Sequence, residues 1–260
     1  MNARLKTLKK ALALGGEVLR RRFGKVTYRE KRRADLVTAA DLESQRVILA
    51  AIRRAHPEDD YRAEEDAVKD EGAEYLWIID PLDGTANYAH GYPASCVSIG
   101  VLRRGRPVLG GVYDPSRGEL FLAEKGKGTR LNGRRVRVSA PRRVADSLLI
   151  TGFAYDRAER PDFYLARFKA FLTRSHDVRR SGSAALDMAW IAAGRADGYW
   201  EYKLSPWDVA AGWLLVSEAG GKVTDFSGRA WVEPARLGAE TLATNGRIHA
   251  EMLRIIGRTR

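Results

Sequence analysis

The chain has 260 residues, 45% apolar and 30% charged, which is enough for one substantial core and too apolar for a disordered polymer. Its single cysteine, Cys96, excludes an intrachain disulfide and thiolate zinc sites, and His56, His90, His176 and His249 show no His-Glu-x-x-His spacing, so any metal must be held mainly by oxygen. The formal charge of +12 attracts anions, but the basic residues are scattered and not interleaved with aromatics, which leaves nucleic-acid binding unsupported.

Leu5, Leu8, Leu12, Leu19 and Phe23 fall near helical spacing and predict a first helix over Asn2–Phe23 rather than a basic leader. A second helix is expected from near Asp41, carrying Val47, Ile48, Ala51 and Ile52 up to the His56-Pro57 stop. After Glu65 the pattern turns to strands: Tyr75–Ile79, Cys96–Leu102, Pro107–Tyr113 and Glu119–Glu124. Leu131-Asn132-Gly133-Arg134 reads as a hairpin turn into Val136-Arg137-Val138. Short glycine-containing turns between successive strands imply an antiparallel or mixed sheet.

The second half alternates instead. Strands are expected at Ser147–Thr151, Asp177–Arg179 and Gly198–Tyr202. Helices are expected at Pro161–Thr173, at Ser183–Ala193 closed by Gly194, and at Trp207–Ala219 closed by Gly220-Gly221. Such alternation points to a second, layered sheet, with the seam near Ala140-Pro141. No apolar run approaches the roughly 18 residues of a membrane span, and the cytoplasm is the expected location.

Chemistry concentrates in Asp80-Pro81-Leu82-Asp83-Gly84-Thr85, where an apolar run ends in two carboxylates, a glycine and a hydroxyl. Pro81 fixes φ between the acids, so both can be held at one sharp turn. Gly84 lets the backbone approach a ligand where a helix begins. Alone, the string serves a charged turn with a helix cap as well as it serves a cation site. Glu64-Glu65 reads equally as a solvated loop pair, Asp208 and Asp41 as helix caps, and Glu201 as an exposed charge at a strand end.

Taken together, Asp80-x-x-Asp83-Gly84-Thr85, the upstream Glu64-Glu65 and the downstream Trp207-Asp208-Val209-Ala210-Ala211-Gly212 resemble the inositol monophosphatase family of magnesium-dependent, lithium-sensitive sugar phosphatases. Asp35-Leu36-Val37-Thr38-Ala39-Ala40-Asp41, Arg180–Asp187 and Ser217–Gly221 look like family blocks in the family's order, and the resemblance runs from about Leu5 to about Asn245. It implies an α+β fold layered αβαβα, with an N-terminal subdomain over residues 1–140 and a C-terminal one over 141–260. It also implies Mg²⁺, two or three ions with Mn²⁺ as a substitute. The first would be held by Glu64, Asp80 and the Leu82 carbonyl, the second by Asp80, Asp83 and Asp208, and a weaker third near Glu64. Thr85, polarised by Asp41, would orient a metal-activated water for in-line attack, Glu64 also serving catalysis, while the N–H groups of Gly84 and Thr85 bind phosphate. Gly182, Ser183, Ala184, Glu201 and Asp208 would meet the sugar hydroxyls.

The expected substrate is a small polyol or sugar phosphate, inositol 1-phosphate first. Fructose 1,6-bisphosphate, 3′-phosphoadenosine phosphates and histidinol phosphate are handled by similar enzymes. The expected assembly is a homodimer. A binding regulator of nucleic acid or protein on the same fold is the alternative of another class. Many relatives have a lysine just before the Asp-Leu-Val-Thr block; Lys31 is the nearest candidate for that place.

Overall fold

The apolar stripe of the first helix, α1 (Asn2–Arg22), buries Leu8, Leu12 and Leu19. Beside it lies α2 (Ala39–Ala55), which buries Ile48, Leu49 and Ile52. Both cover one face of an eight-stranded sheet, meeting Trp77, Ile79, Val97, Ile99 and Val101 in a shared core. The structure, a computed structural model, describes residues 2–25, 27–32, 35–65, 67–231 and 237–259.

The sheet contains β3 (Asp60–Ala63), β4 (Val68–Lys69), β5 (Tyr75–Asp83), β6 (Cys96–Arg103), β7 (Arg106–Asp114), β8 (Glu119–Glu124), β9 (Gly128–Leu131) and β10 (Arg134–Val136). Their order is β10-β9-β8-β7-β6-β5-β3-β4. Every pair is antiparallel except β3 with β5, which makes the sheet mixed as expected. The turn between β9 and β10 has positive φ at both Asn132 and Gly133, as a tight hairpin of this type requires. A separate hairpin, β1 (Tyr28–Arg32) with β2 (Asp35–Thr38), precedes α2, and a short helix, α3 (Thr85–Ala89), follows β5.

In the second half the chain runs β11 (Leu148–Thr151), α4 (Pro161–Leu172), β12 (Asp177–Arg179), α5 (Ala184–Ala192), β13 (Gly198–Tyr202), α6 (Pro206–Glu218), β14 (Lys222–Thr224), β15 (Glu240–Thr244) and α7 (His249–Arg258). A five-stranded sheet forms in the order β12-β11-β13-β15-β14, with β11 parallel to both neighbours and β15 antiparallel to its own. Helices α5 and α6 are buried between the two sheets: Met188, Ile191, Leu214 and Leu215 share a core with Ile78 and Phe121 on one side and with Tyr199 and Ala243 on the other. Helices α4 and α7 close the far face through Phe171, Met252 and Ile256 against Trp200 and Leu242. The result is five layers, αβαβα. Strands covered on both faces need no polar side, hence the apolar run Tyr75–Ile79 of β5 and the nearly apolar β6, where Ser98 is buried as well.

Two details fix where the site forms. First, α6 sits directly on β6 and β7 because Gly100 and Gly110 lie beneath it. A Cβ at Gly100 would come within 2.7 Å of the Ala210 side chain, and one at Gly110 within 2.8 Å of the Ala211 carbonyl oxygen. This close seating sets the height of Asp208 at the start of α6. Second, His249 pins β14 to β15: its ring nitrogens meet the hydroxyls of Thr224 and Thr244, each at 2.9 Å.

Replacing Gly110 with alanine drives a methyl into backbone that cannot yield locally, so a stability loss of about 1–3 kcal/mol is expected in chemical denaturation. Burial, helped by Lys222, lowers the His249 pKa to about 4. The folded state therefore refuses a proton that the unfolded chain accepts, and stability is lost as pH falls from the ordinary histidine range toward pH 4, at roughly 1.4 kcal/mol per pH unit. In calorimetry over that window the wild type should lose stability more steeply than His249→Gln; parallel curves would refute the assignment.

Candidate metal centre and substrate pocket

Two carboxylates three residues apart on a regular strand point to opposite faces. The pairing of β5 with β6 slips between Asp80 and Asp83, where three steps on β5 match two on β6. That bulge, with Pro81 inside it, turns both acids to one side. The Pro81 carbonyl accepts from Ser44 Oγ at 2.8 Å, which fastens the turn to α2. Beyond β3 the chain keeps its alignment with β5, the Glu64 N–H donating to the Ile79 carbonyl at 3.1 Å, so Glu64 arrives next to Asp80. Asp208 comes from the other half, on the first turn of α6.

Oxygen atoms of Asp80, Asp83 and Asp208 lie within 4.8 Å of one another. Each acid is anchored through one oxygen. Asp80 Oδ1 accepts from the Leu82 N–H at 3.0 Å, and Asp208 Oδ2 from the Ser205 N–H at 2.6 Å. Asp83 Oδ2 takes the Ser183 hydroxyl at 2.6 Å and the Ala185 N–H at 2.7 Å. Asp83 thus caps α5 from 100 residues away, where the local N-cap, Ser183, makes no side-chain cap of its own. Burial and then mutual repulsion drive the Asp80 carboxyl, and that of Asp208, well above the usual carboxylate range. Glu64 is raised to about 7 by burial, against the pull of Lys31. Asp83 is raised by burial, against its own hydrogen bonds.

Such a set fits a hard divalent cation. Its donors are all oxygen and they converge, and among the described residues the cation that pairs with the group is Lys31, whose Nζ meets Glu65 and stands 3.6 Å from Glu64. Lys31 therefore reaches the centre from β1.

Thr85 opens α3. Its hydroxyl lies 3.0 Å from Asp41 Oδ1 and 3.0 Å from the Leu82 carbonyl. Asp41 Oδ2 meanwhile accepts from the N–H and hydroxyl of Thr38, so Asp41 is the third residue of a capping box and not the N-cap, which is Thr38. Asp208 occupies the same place in α6, with Ser205 as N-cap. Burial raises the Asp41 carboxyl to about 6. Gly84, at φ +89°, has no room for a side chain: a Cβ would lie 2.8 Å from the Ala94 carbonyl.

A cavity of about 520 Å³ opens over these groups. Glu64, Asp80, Leu82, Asp83, Gly84, Thr85 and Asp208 line it from one side, and Gly182, Ala184 and Glu201 line it too. Asp41 is buried behind this lining and bonds Thr85, which is part of it. Ser183 is buried and its hydroxyl is spent on Asp83, so of the Gly182-Ser183-Ala184 turn only the flanking residues face the cavity. Glu201 is buried, receives the Tyr199 hydroxyl and is raised to about 7 by burial; a Cβ on Gly152 would strike its carboxylate, so that glycine leaves the acid its place.

The structure also brings in residues outside the candidate set. Asn87 donates to the Ala94 carbonyl at 2.7 Å and to the Ser181 carbonyl at 2.8 Å, stapling α3 to the turn of the other half. Phe153, Tyr155, Arg157, Arg180 and Lys203 line the outer wall. Tyr155 and Arg157 lie on a short 3₁₀ turn, Tyr155–Ala158, and the others just beyond strand ends, where periodicity says nothing. Cys96 is buried, 3.8 Å from Asp83 Oδ2, and burial holds its thiol well above the usual range. Among the described residues no helix is long and apolar enough to cross a membrane.

Comparison with known proteins adds an independent line. The inositol monophosphatase family model matches residues 2–258. An inositol-1-monophosphatase of Synechocystis is 45% identical over 252 residues, covering 95% of this chain and 86% of that protein. A protein of Pseudomonas aeruginosa named Nus factor SuhB is 44% identical over 227 residues, covering 84% of each. The solved inositol monophosphatase of Anabaena superposes with a TM-score of 0.90 at 45% identity, over 100% of this chain and 97% of that one. With a match this continuous, the chain belongs to the inositol monophosphatase family and is a phosphatase, a phosphoric monoester hydrolase.

Proposed function

We propose that the protein is a Mg²⁺-dependent phosphatase of small polyol or sugar phosphates, with inositol 1-phosphate as the leading substrate. The observation that carries this reading is the convergence of Asp80, Asp83 and Asp208 within 4.8 Å at the floor of a cavity that also holds Glu64 and Thr85. Divalent ions held by Glu64, Asp80, the Leu82 carbonyl, Asp83 and Asp208 would supply charge neutralisation at the phosphate and a water acidic enough to attack near neutral pH.

The residues divide the remaining work. Thr85 receives polarisation from Asp41 through the 3.0 Å hydrogen bond, so its hydroxyl oxygen can accept a proton shared with an attacking water and hold that water in line with the ester. The N–H groups of Gly84 and Thr85, at the start of α3, would bind phosphate oxygens. Glu201, Asp208 and the backbone of Gly182 and Ala184 then face the alcohol, where a carboxylate can accept two hydroxyl hydrogen bonds. Lithium inhibition, homodimer formation and a cytoplasmic location belong to the same reading.

Asp83→Asn tests the centre. An amide oxygen still accepts from Ser183 and Ala185, so the fold should survive, and losing one of several repelling carboxylates should raise the melting temperature of metal-free protein. Turnover should fall at least about 100-fold and the Mg²⁺-induced thermal shift should shrink. Near-normal turnover would contradict the assignment.

Asp41 must be ionised to polarise Thr85. With its carboxyl at about 6, kcat/KM should fall as pH drops below about 6. Asp41→Asn should lower kcat by about 10²–10³-fold and remove this limb of the profile, read from steady-state rates between pH 5 and 8. Retention of the limb in the variant would assign it to another group.

A further inference from the structure

We propose that Tyr199 and Asp187, buried behind the lining of the cavity, are positioning residues that set its selectivity for a polyol. Tyr199 fixes the Glu201 carboxylate, and Asp187 fixes the turn that carries Gly182. This deepens the phosphatase reading and rests on it, since there Glu201 and the Gly182 backbone are the groups that face the alcohol.

Tyr199 and Glu201 lie two residues apart on β13, so their side chains leave the same face of the strand. The Tyr199 hydroxyl donates to Glu201 Oε2. The other oxygen, Oε1, makes no hydrogen bond among the described residues and is the one left for a ligand. The Tyr199 ring shares its core with Met188 and Ile191 of α5, a packing role that a phenylalanine would fill equally well. The work of the hydroxyl is therefore the bond to Glu201.

Asp187 stands on the first turn of α5, yet that helix start is already served, because Asp83 takes the N–H groups of Ala184, Ala185 and Leu186. Burial drives the Asp187 carboxyl well above the usual range, against the Ser181 hydroxyl and the charge of Arg180. A buried carboxyl weakens a fold unless its bonds are used, and this one receives the Ser181 hydroxyl. The Ser181 carbonyl in turn accepts from Asn87 at 2.8 Å, and the Ser183 hydroxyl donates to Asp83 at 2.6 Å. Gly182 is thus held between two anchored serines. It has no side chain with which to hold itself, and at φ +92° a Cβ would lie 2.6 Å from Arg180 Nη1. The charge of Arg180 acts on Asp187 and Glu201 alike, which joins the two supports into one layer.

The test compares inositol 1-phosphate with p-nitrophenyl phosphate, whose leaving group offers no polyol hydroxyls, both with Mg²⁺. Contacts to those hydroxyls hold substrate and transition state alike, so their loss reads in KM. Tyr199→Phe and Asp187→Ala should each raise KM for inositol 1-phosphate about 10-fold, with kcat changed less than about twofold. For p-nitrophenyl phosphate, kcat/KM should change less than about twofold. Asp187→Asn keeps an oxygen for the Ser181 hydroxyl and should restore KM. Tyr199→Phe, which removes one oxygen and almost no volume, decides the case if Asp187→Ala fails to fold. A loss shared by both esters, or an unchanged KM for inositol 1-phosphate, overturns the proposal. Hydrolysis of p-nitrophenyl phosphate alone by the wild type also overturns it and leaves the phosphatase reading standing; hydrolysis of neither ester sinks both.

Discussion

The rest of the structure depends on holding negative charges closer together than they would choose. Asp80, Asp83 and Asp208 present oxygens within 4.8 Å of one another, with Glu64 alongside, in surroundings where burial already penalises each charge. Isolated side chains would relieve this by swinging apart. They are prevented because one oxygen of each aspartate is tied to backbone N–H groups at a turn or helix start: Leu82 for Asp80, Ala185 for Asp83, Ser205 for Asp208. The fold thus stores electrostatic repulsion that a divalent cation relieves, which gives the centre its affinity for one.

Those ties explain why the two halves of the chain cannot be understood separately. Asp83 belongs to β5 yet caps α5; Asn87 belongs to α3 yet holds the carbonyl of Ser181. Helix α6 carries Asp208 and is seated on glycines of β6 and β7. Through these contacts the carboxylate cluster and the Gly182–Ala184 turn share supports, so a shift in one is felt by the other.

Much of this was legible in the sequence. Periodicity located α1, the strands from β5 to β8 and the βα alternation of the second half, because their apolar positions follow local rules. The two readings of Asp41 and Asp208, helix cap or site residue, do not exclude each other: each acid completes a capping box, while Asp41 also bonds Thr85 and Asp208 lies within 4.8 Å of Asp80 and Asp83. What stayed hidden depends on distant pairing. β3 is short and is defined by lying parallel to β5, and β15 by fitting between β13 and β14. The spacing Asp80-x-x-Asp83 announced a turn, but only the slip against β6 shows how a strand can aim both acids one way. Ser183 looked like a substrate contact, and its hydroxyl instead secures Asp83.

The outer wall of the cavity follows a different logic from its floor. At the floor, acids are fixed by backbone bonds and leave little freedom for change. At the wall, Phe153, Tyr155 and Arg157 follow β11 on a loop and a short 3₁₀ turn, and Arg180 follows β12, where side chains can vary without disturbing a sheet or the carboxylate cluster. The two parts of one cavity therefore differ in how much substitution they tolerate: a fold built this way can keep its carboxylate floor unchanged while the charge and shape of its wall vary.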